Sequence, residues 1–113
     1  MATEEDWELV RRLVAALPEG TWTSYGDLAE LIGTGPRQVG AYMRDGDVPG
    51  AYRVLTARGT VSEGFRWSDG RPGDEVPDLL REDGVKVDAR GVADRDQRMY
   101  VYDLHLLSME LDD

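Results

Sequence analysis

Two short helical patterns joined by a Gly-Thr-Gly-Pro turn, residues 23–44 (TSYGDLAELIGTGPRQVGAYMR), constrain this chain more than any other feature. Ser24 followed three residues later by Asp27 reads as a capping-box-like start for the first helix. Leu28, Leu31 and Ile32 then recur at helical spacing and predict a core-facing stripe. Gly33-Thr34-Gly35 ends that helix, and Pro36 suits the first position of the next, where a missing N–H costs nothing. On the second helix Val39, Tyr42 and Met43 share one face and are expected to pack inward. Arg37, Gly40, Ala41 and Arg44 share another, at spacings of three, four and seven. A face that is small in the middle and cationic at both ends can approach a polyanion closely, as a nucleic-acid reading helix does. An ordinary solvated face also carries arginines at such spacings, so the pattern by itself leaves both readings open.

Charge bears on that choice. The net charge of −10 over 113 residues argues against a general nucleic-acid binder, because phosphate neutralisation dominates non-specific affinity. The distribution is uneven, however. Residues 1–33 carry two basic and seven acidic side chains, residues 34–72 six arginines against four acids, and residues 73–113 five basic against twelve acidic. The one net-positive third therefore contains the second helix of the pair. Such an arrangement orients a molecule on DNA while keeping non-specific binding weak; a protein-binding module of mixed charge would show it too.

Other function classes drop out on composition. The chain has no cysteine, which removes disulfides, thiolate metal sites and thiol nucleophiles, and a single histidine, His105, makes a zinc site unexpected. No metal or cofactor is therefore expected. No apolar run approaches ~18 residues, so no transmembrane helix is predicted. The start, MATEEDWELV, is acidic where a secretory signal is basic, and a cytoplasmic location is expected. Hydrophobic residues at 41% fit one globular domain over residues 1–113.

Along the chain, Trp7, Val10, Leu13, Val14 and Leu17 predict a helix over residues 4–17, with Arg11 and Arg12 outward and Glu4, Glu5 and Asp6 favouring its N-terminal dipole. Residues 21–23 read as a β-prone linker. Residues 53–56 and 60–62 bracket Ala57-Arg58-Gly59 and predict a hairpin with Gly59 at positive φ. A helix-turn-helix followed by a hairpin gives an α/β, mainly α, winged-helix-like domain. Residues 63–76 form a loop whose length points to function rather than filler, and it carries Phe65 and Trp67. A short helix is expected over 77–83, a strand over 85–88, and either a strand or a closing helix over 99–107. Residues 109–113 are acidic and expected to be solvated.

The helix ending in Leu17-Pro18-Glu19-Gly20, the run Thr23-Ser24-Tyr25-Gly26-Asp27-Leu28-Ala29, the run from Pro36 to Arg44, and Val48-Pro49 with Arg53-Val54-Leu55 together form a recognisable series. It resembles the C-terminal DNA-binding domain of the O6-alkylguanine-DNA alkyltransferases and, in particular, of their non-enzymatic relatives, the alkyltransferase-like proteins. A weaker echo continues through residues 79–85, so the resemblance spans a core to about residue 100, with 101–113 as a C-terminal extension. It implies that the helix-turn-helix enters the minor groove of double-stranded DNA and that an O6-alkylguanine rotates out into a pocket. The position matched by Tyr25 crowds the phosphate 3′ to the target, and the one matched by Arg37 fills the vacated stack. A flipped base leaves a hole costing roughly a few kcal/mol, and a planar guanidinium can occupy it and hydrogen-bond the orphaned partner. Gly40 and Ala41 keep the helix slim enough for a ~6 Å groove, and Arg44 would contact a phosphate. Ser24 and Gln38 complete the expected DNA-binding set.

The catalytic motif departs from the family's pattern. Where the enzymes carry Pro-Cys-His-Arg, this chain has Pro49-Gly50-Ala51-Tyr52-Arg53, one residue longer. Gly50 or Ala51 stands nearest the nucleophile's place and Tyr52 stands in the histidine's, and neither chemistry supports alkyl transfer. The expected protein is not an enzyme. Ala51, Tyr52, Phe65 and Trp67 either line an enlarged lesion pocket or, with the extra residue, close it. The resemblance implies a monomer that marks damage for nucleotide-excision-repair proteins; the alternative is a protein-interaction module that kept the fold and lost the DNA.

Overall fold

The computed structural model describes residues 2–67, 69–70 and 72–111. Thr3 starts the first helix, α1 (Glu4–Ala16), with a reciprocal capping box: its hydroxyl accepts from the Asp6 N–H and its own N–H donates to the Asp6 carboxylate. Val10, Leu13 and Val14 are buried on its inner face. Arg53 closes the other end of this helix region. Its buried guanidinium donates to the carbonyls of Leu17 at 2.8 Å and Pro18 at 2.6 Å, placing a cation where the helix dipole is negative. Arg12 is exposed, as expected of the outer side, and donates to the Leu111 carbonyl, while Arg11 is half-buried and donates to the Gly46 carbonyl.

The β-prone linker is the centre of the sheet. Trp22–Ser24 is strand β1, flanked in parallel by β2 (Val54–Leu55) on one side and β3 (Arg98–Met99) on the other. Thr23 pairs with both Val54 and Met99, and its hydroxyl donates to the Met99 carbonyl at 2.7 Å. The chain passes directly from β1 into α2 (Tyr25–Ile32), which Ser24 caps by accepting from the Asp27 N–H and which the left-handed Gly33 ends. α3 (Pro36–Asp45) follows with Pro36 in its first turn. α4 (Val76–Glu82) and α5 (Val101–Leu111) complete the helices, with one-turn 3₁₀ segments at Ala51–Arg53 and Arg95–Gln97.

The winged-helix-like, mainly helical α/β class is what the chain adopts, but the region expected as a hairpin wing is built differently. The chain does turn at residues 56–60: the Thr56 N–H donates to the Thr60 carbonyl and Gly59 has φ +83. No second strand forms at 60–62 among the described residues. Val54–Leu55 is committed to β1, and the Gly59 carbonyl accepts from the Ala93 N–H at 2.9 Å. The strand expected over 85–88 reduces to a single antiparallel bridge between Val87 and Ala93. Residues 99–107, ambiguous between strand and helix, divide into β3 and α5. The Asp103 carboxylate accepts the Tyr100 N–H at the helix start.

Two apolar clusters support these elements. The larger joins α1, α2, α3 and α5 through Leu13, Leu28, Val39 and Leu104 among others. The smaller gathers Trp22, Leu55, Val76, Leu80, Val85 and Ala93 beneath the sheet and α4. Leu104 and Leu107 of α5, in the stretch expected as a C-terminal extension, are buried in the larger cluster. Met109 and Glu110 are exposed as expected, and the last two residues of that acidic end, 112 and 113, lie outside the described residues.

One polar junction ties the sheet to the helix pair. The Arg98 Nε donates to the Asp27 carboxylate at 2.8 Å, and its other nitrogens donate to the Ser24 hydroxyl and the Ala57 carbonyl. The side chains of Arg98 and Asp27 are only 14% and 7% exposed. The Arg98 guanidinium also lies 4.3 Å from the centre of the Tyr100 ring. Removing one partner of such a pair strands a buried charge. Arg98→Ala is therefore expected to lower the unfolding free energy by roughly 3 kcal/mol in urea titrations. Arg95→Ala, at an exposed site three residues earlier, should change it by less than about 0.5 kcal/mol.

The additional residue in the Pro49–Arg53 stretch is absorbed by a left-handed turn. Gly50 has φ +81, and a Cβ there would sit 3.3 Å from the Val14 carbonyl oxygen. Gly50→Ala should destabilise by about 1–2 kcal/mol from the backbone conformation alone, measurable as a lower thermal midpoint.

Candidate nucleic-acid interface

The turn between α2 and α3 presents one face of α3 outward. Val39 and Met43 are buried beneath it, and Tyr42 is half-buried against Trp7, their rings stacked 4.7 Å apart. Arg37 and Arg44 on the outer face are exposed. Among the described residues Arg37 has no hydrogen-bond or ion-pair partner, while Arg44 makes one exposed contact with Asp45 at 3.5 Å. Between them Gly40 leaves a gap: a Cβ built there meets nothing within 4 Å.

Behind this face lies a cavity of about 420 Å³. Arg37, Gly40, Ala41 and Arg44 form its α3 wall, Tyr25 enters from the start of α2, and Ala51 and Phe65 come from the two segments further along the chain. The structure thus gathers seven of the residues singled out from sequence around one space. A smaller cavity of about 210 Å³ adjoins it. The two share Met43, Arg44, Ala51, Phe65 and Arg66, and the smaller is completed by Gly50, Tyr52 and Trp67 among others. Ala51 rather than Gly50 therefore borders the main space, and Tyr52 and Trp67 line the annex rather than the main cavity.

One expected contact, Ser24, is placed elsewhere. The Ser24 side chain is fully buried, its hydroxyl donating to the Asp27 carboxylate at 2.7 Å while capping α2, so it orients Tyr25 rather than facing solvent. Gln38 is exposed at the start of α3 but lies outside both cavities, its side chain turned over Gly35. Conversely, Ser62 and Arg66 border the main cavity although neither was singled out. Arg66 sits between Phe65 and Trp67 in the loop, so the two aromatics that flagged that loop were also the available signal for the arginine between them.

The ionisable groups are set for recognition. Burial pushes the Tyr25 phenol above its ordinary pKa, opposed by a hydrogen bond with Ser62. Tyr52 is raised first by burial and then by the Asp83 carboxylate, to which it donates a hydrogen bond, with Arg53 opposing. Both are neutral phenols near pH 7. The rim is cationic through Arg37, Arg44 and Arg66, and the interior offers aromatic faces: Phe65 meets Trp67 edge-on at 5.2 Å. With no cysteine in the chain, no thiolate can accept an alkyl group.

Comparison with known proteins is consistent over most of the chain. Residues 7–85 match the family described as 6-O-methylguanine DNA methyltransferase, DNA binding domain. A protein of Escherichia coli (strain K12) called DNA base-flipping protein is 33% identical over 104 residues, covering 82% of this chain and 72% of that protein. A methylated-DNA–protein-cysteine methyltransferase of Methanopyrus kandleri is 41% identical over 61 residues, 51% of this chain and 45% of its own. Among solved structures, S. pombe Atl1 in complex with damaged DNA containing O6-carboxymethylguanine superimposes with a TM-score of 0.59 at 27% identity, over 82% of this chain and 90% of that one. The chain belongs to the 6-O-methylguanine DNA methyltransferase DNA-binding domain family, as an alkyltransferase-like protein lacking the acceptor cysteine.

Proposed function

We propose that this protein binds double-stranded DNA, recognises an alkylated guanine by rotating it out of the helix, and marks it for repair without chemically altering it. The observation that carries this reading is the shared cavity: Tyr25, Arg37 and the slim α3 face border the same 420 Å³ space as Ala51 and Phe65. α3 lies in the minor groove, where Gly40 and Ala41 admit the sugar–phosphate walls. Tyr25, held by the capped start of α2, presses on the phosphate next to the target. The exposed Arg37 guanidinium takes the departing base's place, offsetting the lost stacking. Arg44 and Arg66 neutralise phosphates at the rim.

The base is received by the main cavity, with Phe65 as a stacking face and Ala51 where a larger side chain would intrude. Retention without reaction follows from the missing thiol. A duplex held in this state is a persistent landmark, and nucleotide-excision-repair proteins are the proposed readers. The protein acts as a monomer and inside the cytoplasm; among the described residues no helix is long and apolar enough to cross a membrane.

Arg37→Ala is expected to abolish most of the preference for O6-methylguanine duplex over plain duplex, about tenfold or more, while reducing plain-duplex affinity only a few-fold. Fluorescence anisotropy against both duplexes measures this, and equal affinities of the variant and the parent would refute the flipping role. A second change separates groove entry from folding. Gly40→Leu gains helix propensity of about 0.5–1 kcal/mol and points its Cβ into open space. It should be no less stable than the parent in urea yet bind duplex at least about tenfold more weakly. The parent's affinity should fall steeply between low and physiological salt.

A further inference from the structure

No residue of α1 lines either cavity, yet two of its side chains reach α3 and the turn that follows it. Trp7 and Arg11 stand four positions apart and so occupy one face of α1. Trp7 stacks on Tyr42, with ring centres 4.7 Å apart and planes inclined by 24°. One turn on, the Arg11 guanidinium donates to the Gly46 carbonyl at 2.8 Å and to the Asp47 carbonyl at 3.4 Å. Tyr42 and Gly46 are likewise four positions apart, so the two helices meet in matched pairs, one aromatic and one charge-assisted.

The second pair acts where α3 stops and the pocket wall begins. Gly46 caps the C-terminal end of α3, its N–H donating to the Tyr42 carbonyl at 2.8 Å. A Cβ on Gly46 would meet that same oxygen at 2.7 Å, so the turn is tight. Asp47 follows at φ +47 and is, among the described residues, the one non-glycine in the left-handed region, which side chains disfavour. A cation at this point meets the negative end of the α3 dipole and fills carbonyls for which a helix end has no partner of its own. From Asp47 the chain runs through Val48, Pro49 and Gly50 to Ala51. Each of these lines the smaller cavity, and Ala51 borders the main one as well. Whatever fixes the Gly46–Asp47 turn therefore fixes where the pocket wall stands relative to the outer face of α3.

We infer that Arg11 is a positioning residue for lesion recognition: it clamps the turn joining α3 to the Ala51 wall, so that a base displaced at Arg37 meets a cavity already formed. The inference rests on the reading that this protein rotates an alkylated guanine out of the duplex. Arg11 acts through Gly46 and Asp47 rather than through the DNA. Affinity for plain duplex comes from the outer arginines, which the clamp does not touch, whereas lesion preference also needs the wall in place. Loss of the clamp therefore separates the two affinities. Gly46 is half-buried and Asp47 exposed, so water takes up the released carbonyls and the fold survives.

Two variants test it. Arg11→Met keeps a long aliphatic side chain and removes every donor, while Arg11→Lys keeps a cation that can hold one carbonyl but cannot bridge two. Affinities for O6-methylguanine and plain duplexes are measured by anisotropy, with urea midpoints and ¹⁵N spectra of the free proteins alongside. Arg11→Met should bind plain duplex within about twofold of the parent and lose at least about threefold of the lesion preference. Arg11→Lys should fall between Arg11→Met and the parent. In the free protein the Arg11→Met amide shifts should centre on residues 46–51. Lesion preference retained by folded Arg11→Met would overturn the inference and leave the flipping reading standing. A lysine variant as impaired as the methionine one, or an equal fall in both affinities, would overturn it too, the latter marking a merely structural brace. A parent protein without lesion preference would instead overturn the flipping reading, and the inference with it.

Discussion

The junction where Arg98 meets Asp27 and Ser24 is the contact on which the rest of the arrangement depends. β1 is only three residues long and runs without a loop into α2, so whatever fixes Ser24 also fixes Tyr25. The Ser24 hydroxyl caps the helix and donates to the Asp27 carboxylate, and Arg98 on the adjoining strand β3 holds both at 2.8–3.2 Å. A little-exposed ion pair gains from a low-dielectric surround but only when its remaining hydrogen-bonding positions are filled. Here the guanidinium has three oxygen partners and an aromatic face. The orientation of Tyr25, and through the short Gly-Thr-Gly turn that of α3, is set by this arrangement.

The motif that holds the nucleophile in the enzymes serves here as architecture. Arg53 braces the end of α1 through two carbonyls, and Gly50 lets the longer stretch pass close to Val14. Tyr52 ties the turn to Asp83 at the end of α4. What remains between α3 and the Phe65 loop is a cavity with small and aromatic walls and a cationic rim. It holds no cysteine thiol.

The helices that build the interface were legible in the sequence because their signals are local. Ser24, Pro36, Gly33 and the Leu28–Ile32 stripe each act within a few residues and have the roles their chemistry predicts, whereas the Asp27 carboxylate, expected to complete a capping box, instead accepts from the Ser24 hydroxyl and Arg98. The sheet was not legible: strands of two and three residues carry no periodicity, and their parallel pairing joins residues more than thirty positions apart. Arg98 and Asp27 are likewise separated by 71 positions. α5 was ambiguous for a different reason. Its outward Tyr102, Leu106 and Met109 are as apolar as its inward leucines, which erases the contrast on which a helical stripe is recognised. Ala51, Tyr52, Phe65 and Trp67, grouped in the sequence, are divided between two adjoining cavities, and that division depends on the turn at Gly50 and could only be seen in three dimensions.

Arg37 is the feature on which the functional account turns: an exposed guanidinium without a partner among the described residues, at the lip of a cavity large enough for a base. The most direct measurement places 2-aminopurine immediately beside O6-methylguanine in a duplex and follows its fluorescence as the protein is added to saturation. Rotation of the guanine out of the stack would relieve quenching, so the account predicts a clear rise with the lesion duplex and a much smaller one with unmodified guanine in the same place. Saturable binding to the lesion duplex with no change in 2-aminopurine emission would contradict it.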